Sequence, residues 1–132
     1  MNKSLYAWLV VSLITVNTLI IPVDPCFALQ LQASWYSTES LKKEGTYKTS
    51  KGVMANGKLF SDKELVCASW DFPLNTYLLI SNPATNKTVI VLVSDRTNRR
   101  FKGKRIDLSK EAFRRIAPLK SGLCKVLVEV IK

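Results

Sequence analysis

Residues Thr88 to Arg96 read Thr-Val-Ile-Val-Leu-Val-Ser-Asp-Arg. Val89, Ile90, Val91, Leu92 and Val93 are apolar on both phases of a two-residue period. The run predicts a strand buried on both faces, ending next to an acid. A second β-rich run, Thr76 to Ser81, precedes it across Asn82-Pro83-Ala84-Thr85-Asn86-Lys87, a turn-forming stretch. Leu29 to Tyr36 alternates, with Leu29, Leu31, Ala33 and Trp35 on one phase and Gln30, Gln32, Ser34 and Tyr36 on the other. Leu65 to Ser69 is a short strand candidate. Leu123 to Ile131 is the last, with Cys124, Val126, Val128 and Val130 on its inward phase. Ser37 to Gly57 is polar and Lys-rich, with turn signals at Gly45, Gly52 and Asn56-Gly57, and reads as a long surface loop with one helical turn near Leu41. One helix is predicted after Asp107-Leu108. Ser109 caps it, Glu111 suits its first turn, Ala112, Phe113, Ile116 and Ala117 form its apolar stripe, and Pro118 stops it. Five or six short strands with one helix describe a small β-barrel.

The chain has 132 residues, 20 Lys plus Arg, 10 Asp plus Glu, no histidine and a net charge of +10. One domain is the natural count. The missing histidine removes Ser-His-Asp and Cys-His catalysis and nearly every catalytic zinc site, so no metal site and no cofactor is expected. Residues 1–28 differ from the rest. Lys3 precedes an uncharged apolar stretch from Leu5 to Ile21, Pro22 and Pro25 break it, and Cys26-Phe27-Ala28 offers small residues two apart. This predicts a secretory signal peptide over 1–28, cleaved after Ala28, with a single domain over 29–132. Asp24 and Pro25 argue against Cys26 as an acylated lipoprotein cysteine. Removing Lys3 and Asp24 leaves 19 basic and 9 acidic residues, so the exported part keeps the whole +10. A small exported protein this basic seeks an anionic surface. Nucleic acid is not expected as a partner, peripheral association with the envelope is, and the protein reads as a monomer. Cys67 and Cys124 then face an oxidising compartment. They form either a disulfide or two buried free thiols.

Five segments, in order, carry a family resemblance: Ala33-Ser34-Trp35-Tyr36, Met54-Ala55-Asn56-Gly57-Lys58, Pro73-Leu74-Asn75-Thr76, Val93-Ser94-Asp95-Arg96, and Arg105-Ile106-Asp107-Leu108-Ser109-Lys110-Glu111-Ala112-Phe113. The chain resembles the rare lipoprotein A (RlpA) family over about residues 31–131. The resemblance implies a mainly β fold, a six-stranded double-psi β-barrel with one short helix, related to the first domain of expansins. It also implies an exported protein of the periplasm or cell envelope that acts on peptidoglycan glycan strands as a lytic transglycosylase, leaving 1,6-anhydro ends. A non-catalytic, expansin-like wall-binding or wall-loosening module is the alternative. One carboxyl group suffices for the lytic reaction, as acid first and base second.

Matched by position, Asp95 falls on the family's catalytic aspartate; as a residue after a strand it equally suits a turn cap. Asp107 matches the second aspartate of expansin-like barrels, and also suits structural hydrogen bonding before the helix cap. Ser34 matches a hydroxyl position near the same cleft. The family pattern places a histidine four residues before the position of Pro73, where Ser69 stands here. Ser69 is a candidate for sugar contact without charge, and Asp71, two positions on, for a second carboxylate. Trp70 either stacks on a sugar or packs in the core. The loop from Arg96 to Arg105 holds Arg96, Arg99, Arg100, Lys102, Lys104 and Arg105. It is either a solvated loop or a cleft rim for wall carboxylates and phosphates, with Arg96 nearest the acid.

Overall fold

The computed structural model describes residues 28–131, so the expected signal peptide lies outside the described residues but for Ala28. Six strands form the frame: β1 (Leu29–Tyr36), β2 (Val66–Ala68), β3 (Tyr77–Asn82), β4 (Lys87–Asp95), β5 (Arg105–Ser109) and β6 (Leu123–Val130). They close a barrel in the order β1-β5-β2-β4-β3-β6. The pairs β1–β5 and β2–β4 are parallel, and the other four are antiparallel.

β5 is the strand the sequence does not announce. Its five residues run out of the basic loop and straight into the helix cap. The predicted helix is where expected: it is α3 (Lys110–Ile116), after α1 (Thr38–Lys43) and α2 (Thr46–Ser50). The Ser109 hydroxyl accepts from Ala112 N at 3.3 Å. Ser37 to Gly57 holds α1 and α2 rather than one turn. Ser37 caps α1 reciprocally with Ser40, which makes a helix of six residues tenable. The barrel therefore carries three short α-helices instead of one.

Inward residues of every strand meet in one core. Leu31, Ala33, Leu78, Ile80, Val91, Val93, Ile106 and Val126 are buried, and α3 adds Ala112, Phe113 and Ile116. The helix packs on β4, β1 and β5. Its C-terminal carbonyl at Ile116 accepts from Asn82 Nδ2 at 2.9 Å and Thr85 Oγ1 at 2.7 Å, so the β3–β4 hairpin satisfies an otherwise orphaned helix acceptor. β4 corrects one expectation. Val89, Val91 and Val93 point inward, but Ile90 is 51% exposed. Only one face of this strand is sealed, because the barrel interior and α3 both lie on the side of Val89, Val91 and Val93, and the side of Ile90 is left to solvent.

Phe113 fills the centre of this packing with no exposed surface. Phe113→Ala is expected to cost about 3–5 kcal/mol in urea unfolding, the usual range for a truncated core aromatic. A loss under about 1 kcal/mol would contradict its place in the core.

Candidate functional site

One register row collects the acids. Ser34 on β1 pairs with Asp107 on β5, and Asp107 pairs with Ala68 on β2. Ala68 in turn pairs with Asp95 on β4. The β2–β4 register shifts between Cys67 and Ala68: Cys67 faces Val93, while Ala68 faces Asp95 and skips Ser94. That bulge brings the second aspartate into line with the first.

The two carboxylates have different surroundings. Asp107 is saturated. Its Oδ1 accepts from the Ser34 hydroxyl and from Arg105 Nε at 2.8 Å, and its Oδ2 from Thr97 Oγ1 at 2.6 Å. Asp95 is held on one side only. Its Oδ1 accepts from Arg96 N at 2.8 Å and Ala55 N at 3.0 Å. Its Oδ2 takes no hydrogen bond from any described residue. Ala55 is presented by a turn over Met54–Lys58, in which Met54 N donates to Lys58 O at 2.8 Å and Asn56 N to Ser94 O at 3.0 Å. Gly57 sits there at φ +85, a left-handed conformation that suits glycine.

Tyr36 completes the group, although the sequence does not single it out. Its ring stacks against Phe60 at 4.7 Å, and its hydroxyl oxygen is buried without a partner. Burial first, then the charges of Asp95, Cys67, Asp107 and Glu64, push its phenol well above the ordinary value. It stays a proton donor beside both aspartates. One signal could have found it: Tyr36 stands two residues after Ser34, on the same strand phase.

Three other candidates stand behind this row rather than in it. Ser69 has no exposed surface, and its hydroxyl accepts from Asp71 N at 3.1 Å. Asp71 Oδ1 accepts from Gly103 N at 2.8 Å and so ties the basic loop to the end of β2; its Oδ2 is buried without a partner. Arg96 turns inward. Its guanidinium donates to the carbonyl oxygens of Ser69 and, at 2.7 Å, of Phe72, and it lies 5.2 Å from the Trp70 ring centre. Trp70 lies under arginine rather than open to a sugar: Arg99 also sits over its ring, at 4.9 Å. The Cys67–Cys124 disulfide is not formed, and both thiols are free. Cys67 is on β2 and Cys124 on β6, with β5 and β1 between them. Burial, aided by Asp107, pushes the Cys67 thiol up, against an opposing pull from Arg96.

A cavity of about 440 Å³ lies elsewhere, between the start of β1, the β3–β4 turn and β6; Gln30, Asn82, Cys124 and Leu127 line it. Among the described residues no group of three His, Cys, Asp or Glu side chains is placed to hold a metal. No described helix is long and apolar enough to cross a membrane.

A closed six-stranded barrel with this mixed strand order, carrying two aspartates in one row, is a double-psi β-barrel. The family model described as lytic transglycolase matches residues 28–128. The chain belongs to this RlpA-like family. It is 33% identical over 101 residues to a Pasteurella multocida protein named endolytic peptidoglycan transglycosylase RlpA, a match covering 76% of this chain and 34% of that one. A Rickettsia bellii protein of the same name is 38% identical over 100 residues, covering 75% of this chain and 40% of that one. The chain thus matches little more than a third of the length of these relatives. A Clavibacter michiganensis expansin, solved as a point mutant in complex with cellohexaose, shares the fold with a TM-score of 0.56 and 20% identity. That match covers 80% of this chain and 50% of the expansin.

Two measurements check this geometry. In the native protein a thiol reagent is expected to modify Cys124, which borders the open cavity, and to reach Cys67 only on unfolding; equal rates would contradict the sealed position of Cys67. Ultraviolet titration should show one tyrosine ionising well above the others, and Tyr36→Phe should remove that late step. Because the folded value is raised, the stability Tyr36 contributes is full below pH about 10 and is lost as pH rises from there through the folded value.

Proposed function

We propose that this chain is an exported peptidoglycan-active protein that cleaves glycan strands to 1,6-anhydro ends, with Asp95 as its single acid and base. One observation carries the reading: two backbone amides hold Asp95 Oδ1, while Oδ2 is left for an incoming group. The family membership and the names of the two bacterial relatives support it. Export rests on the charged, apolar and small-residue pattern of residues 1–28.

In the proposed reaction, protonated Asp95 gives its proton to the glycosidic oxygen as the bond to the anomeric carbon breaks. The carboxylate formed then takes the proton of the sugar's own 6-hydroxyl as that oxygen bonds to the same carbon. No water is consumed, and Asp95 ends as it began. The amides of Ala55 and Arg96 hold the carboxylate in place through both steps. Tyr36 lies buried behind the row and keeps its proton, so it adds no negative charge next to Asp95. Asp107 acts through others: it fixes the hydroxyls of Ser34 and Thr97 and the Arg105 guanidinium at the cleft wall.

A second reading is a non-catalytic, expansin-like wall-binding module. Ser69 favours it, since a buried, uncharged side chain stands where the family pattern has a histidine.

One experiment separates them. Residues 29–132 are incubated with stem-free glycan strands and the products analysed by mass spectrometry. Anhydro-ended fragments are expected from the wild type. Asp95→Asn should lower them by at least about a hundredfold while retaining sacculus binding. Wild-type binding to sacculi with no anhydro ends at high protein concentration would sink the cleavage reading in favour of the module.

A further inference from the structure

The basic loop between β4 and β5 is built rather than merely charged. Residues 96–105 hold six basic side chains and no acid. Arg99 lies over the Trp70 ring at 4.9 Å, and Arg100 over the Phe101 ring at 4.7 Å. Arg105 covers Phe101 at 3.9 Å. A 3-10 turn over Arg99–Phe101, capped by the Asn98 side chain at Arg100 N, shapes the segment. Bonds from outside hold both ends: Gly103 N donates to Asp71, Gln32 N to Lys104 O at 3.0 Å, and Trp70 Nε1 to Thr97 O.

Arg99, Arg100, Lys102 and Lys104 are all exposed. The ion pairs among the described residues are Arg105–Asp107, Arg114–Glu111 and Arg115–Glu111, so these four cations face solvent without a carboxylate. A guanidinium held over a ring has already lost some of its rotamer freedom and can still present donors to an oxyanion. The same loop supplies Arg96 N to Asp95 and Thr97 Oγ1 to Asp107, so it borders the aspartate row directly.

We propose that residues 96–105 form a preorganised docking surface for an anionic polymer, one that carries phosphodiester or carboxylate groups along its chain and lies beside the aspartate row. A membrane fits less well. Phe101, the loop's one aromatic ring, and Trp70 beside the loop each have guanidinium groups over them, and none of the exposed large apolar side chains falls within the loop. The surface deepens the proposed wall activity and rests on that reading for its setting, but its test involves no cleavage.

Binding is measured in an Asp95→Asn background at low salt. The probes are immobilised poly(glycerol phosphate) and polygalacturonate, with a neutral glucan as control. Binding to either polyanion and not to the glucan is expected, and the better of the two names the anion. The double variant Arg99→Ala, Arg100→Ala should weaken binding about tenfold and flatten its salt dependence. Lys43→Ala with Lys48→Ala removes the same charge from exposed positions on α1 and α2 and should change it less than about twofold. Arg99→Lys with Arg100→Lys keeps the charge but loses the guanidinium donor fork, and should weaken binding about threefold. Equal losses from the two alanine pairs would overturn the proposal. So would wild-type binding by the lysine pair, or phosphatidylglycerol vesicles bound as tightly as the polymers.

Discussion

β2 is three residues long, and the placement of both aspartates depends on it. It lies between a parallel neighbour that ends at Asp95 and an antiparallel neighbour that carries Asp107, and Ala68 pairs with both. So short a strand has few ladder bonds of its own. What extends its hold is Arg96, whose guanidinium binds the carbonyl oxygens of Ser69 and Phe72 just beyond the strand. Hydrogen bonds from a charged donor contribute roughly 1.5–3 kcal/mol each, enough to fix the exit of a three-residue strand. Arg96 follows Asp95 in sequence, so the acid and the clamp that steadies its neighbour arrive on the same strand end.

Two acids in one row would be expected to share a task, yet their surroundings divide it. Asp107 has a hydroxyl or guanidinium donor on each oxygen and ties Ser34 of β1 and Thr97 of the basic loop to β5. Asp95 is held by backbone amides alone, which do not rearrange, and keeps one oxygen open. Tyr36 responds to both. Its phenol is buried near two carboxylates, so it keeps its proton. The basic loop adds a further layer, since it provides donors to both aspartates while displaying its remaining cations to solvent.

Strands with a clean period of two were legible in the sequence. β1, β3 and β6 fall close to the expected runs, and the caps of α3 are the expected ones. β5 was not legible: Arg105 to Ser109 alternates, but with only two apolar residues, Ile106 and Leu108, between a charged loop and a helix cap it is too short to stand out. Ile90 misled because an apolar residue on an exposed barrel face reads like a buried one. At the site, Ser34, Asp95 and Asp107 came from matched positions, and the barrel register does bring them into one row. Ser69 also came from a matched position, while Asp71 and Arg96 were chosen for closeness in sequence. Ser69 bonds locally to Asp71 N, but the bonds of Asp71 to Gly103 and of Arg96 to the carbonyls of Ser69 and Phe72 are tertiary, and no local pattern records them. Cysteine counting likewise could not tell that two strands separate Cys67 from Cys124.

Sugar is expected to bind at the open side of Asp95 and not at the cavity beside Gln30 and Leu127. Backbone amide chemical shifts of the Asp95→Asn protein, followed while a stem-free glycan oligosaccharide is added, distinguish the two places. The largest changes should fall at Ala55, Arg96, Tyr36 and Thr97, which surround the aspartate row. Changes concentrated at Gln30, Ala84, Lys125 and Leu127, with the aspartate row silent, would contradict a sugar site at Asp95.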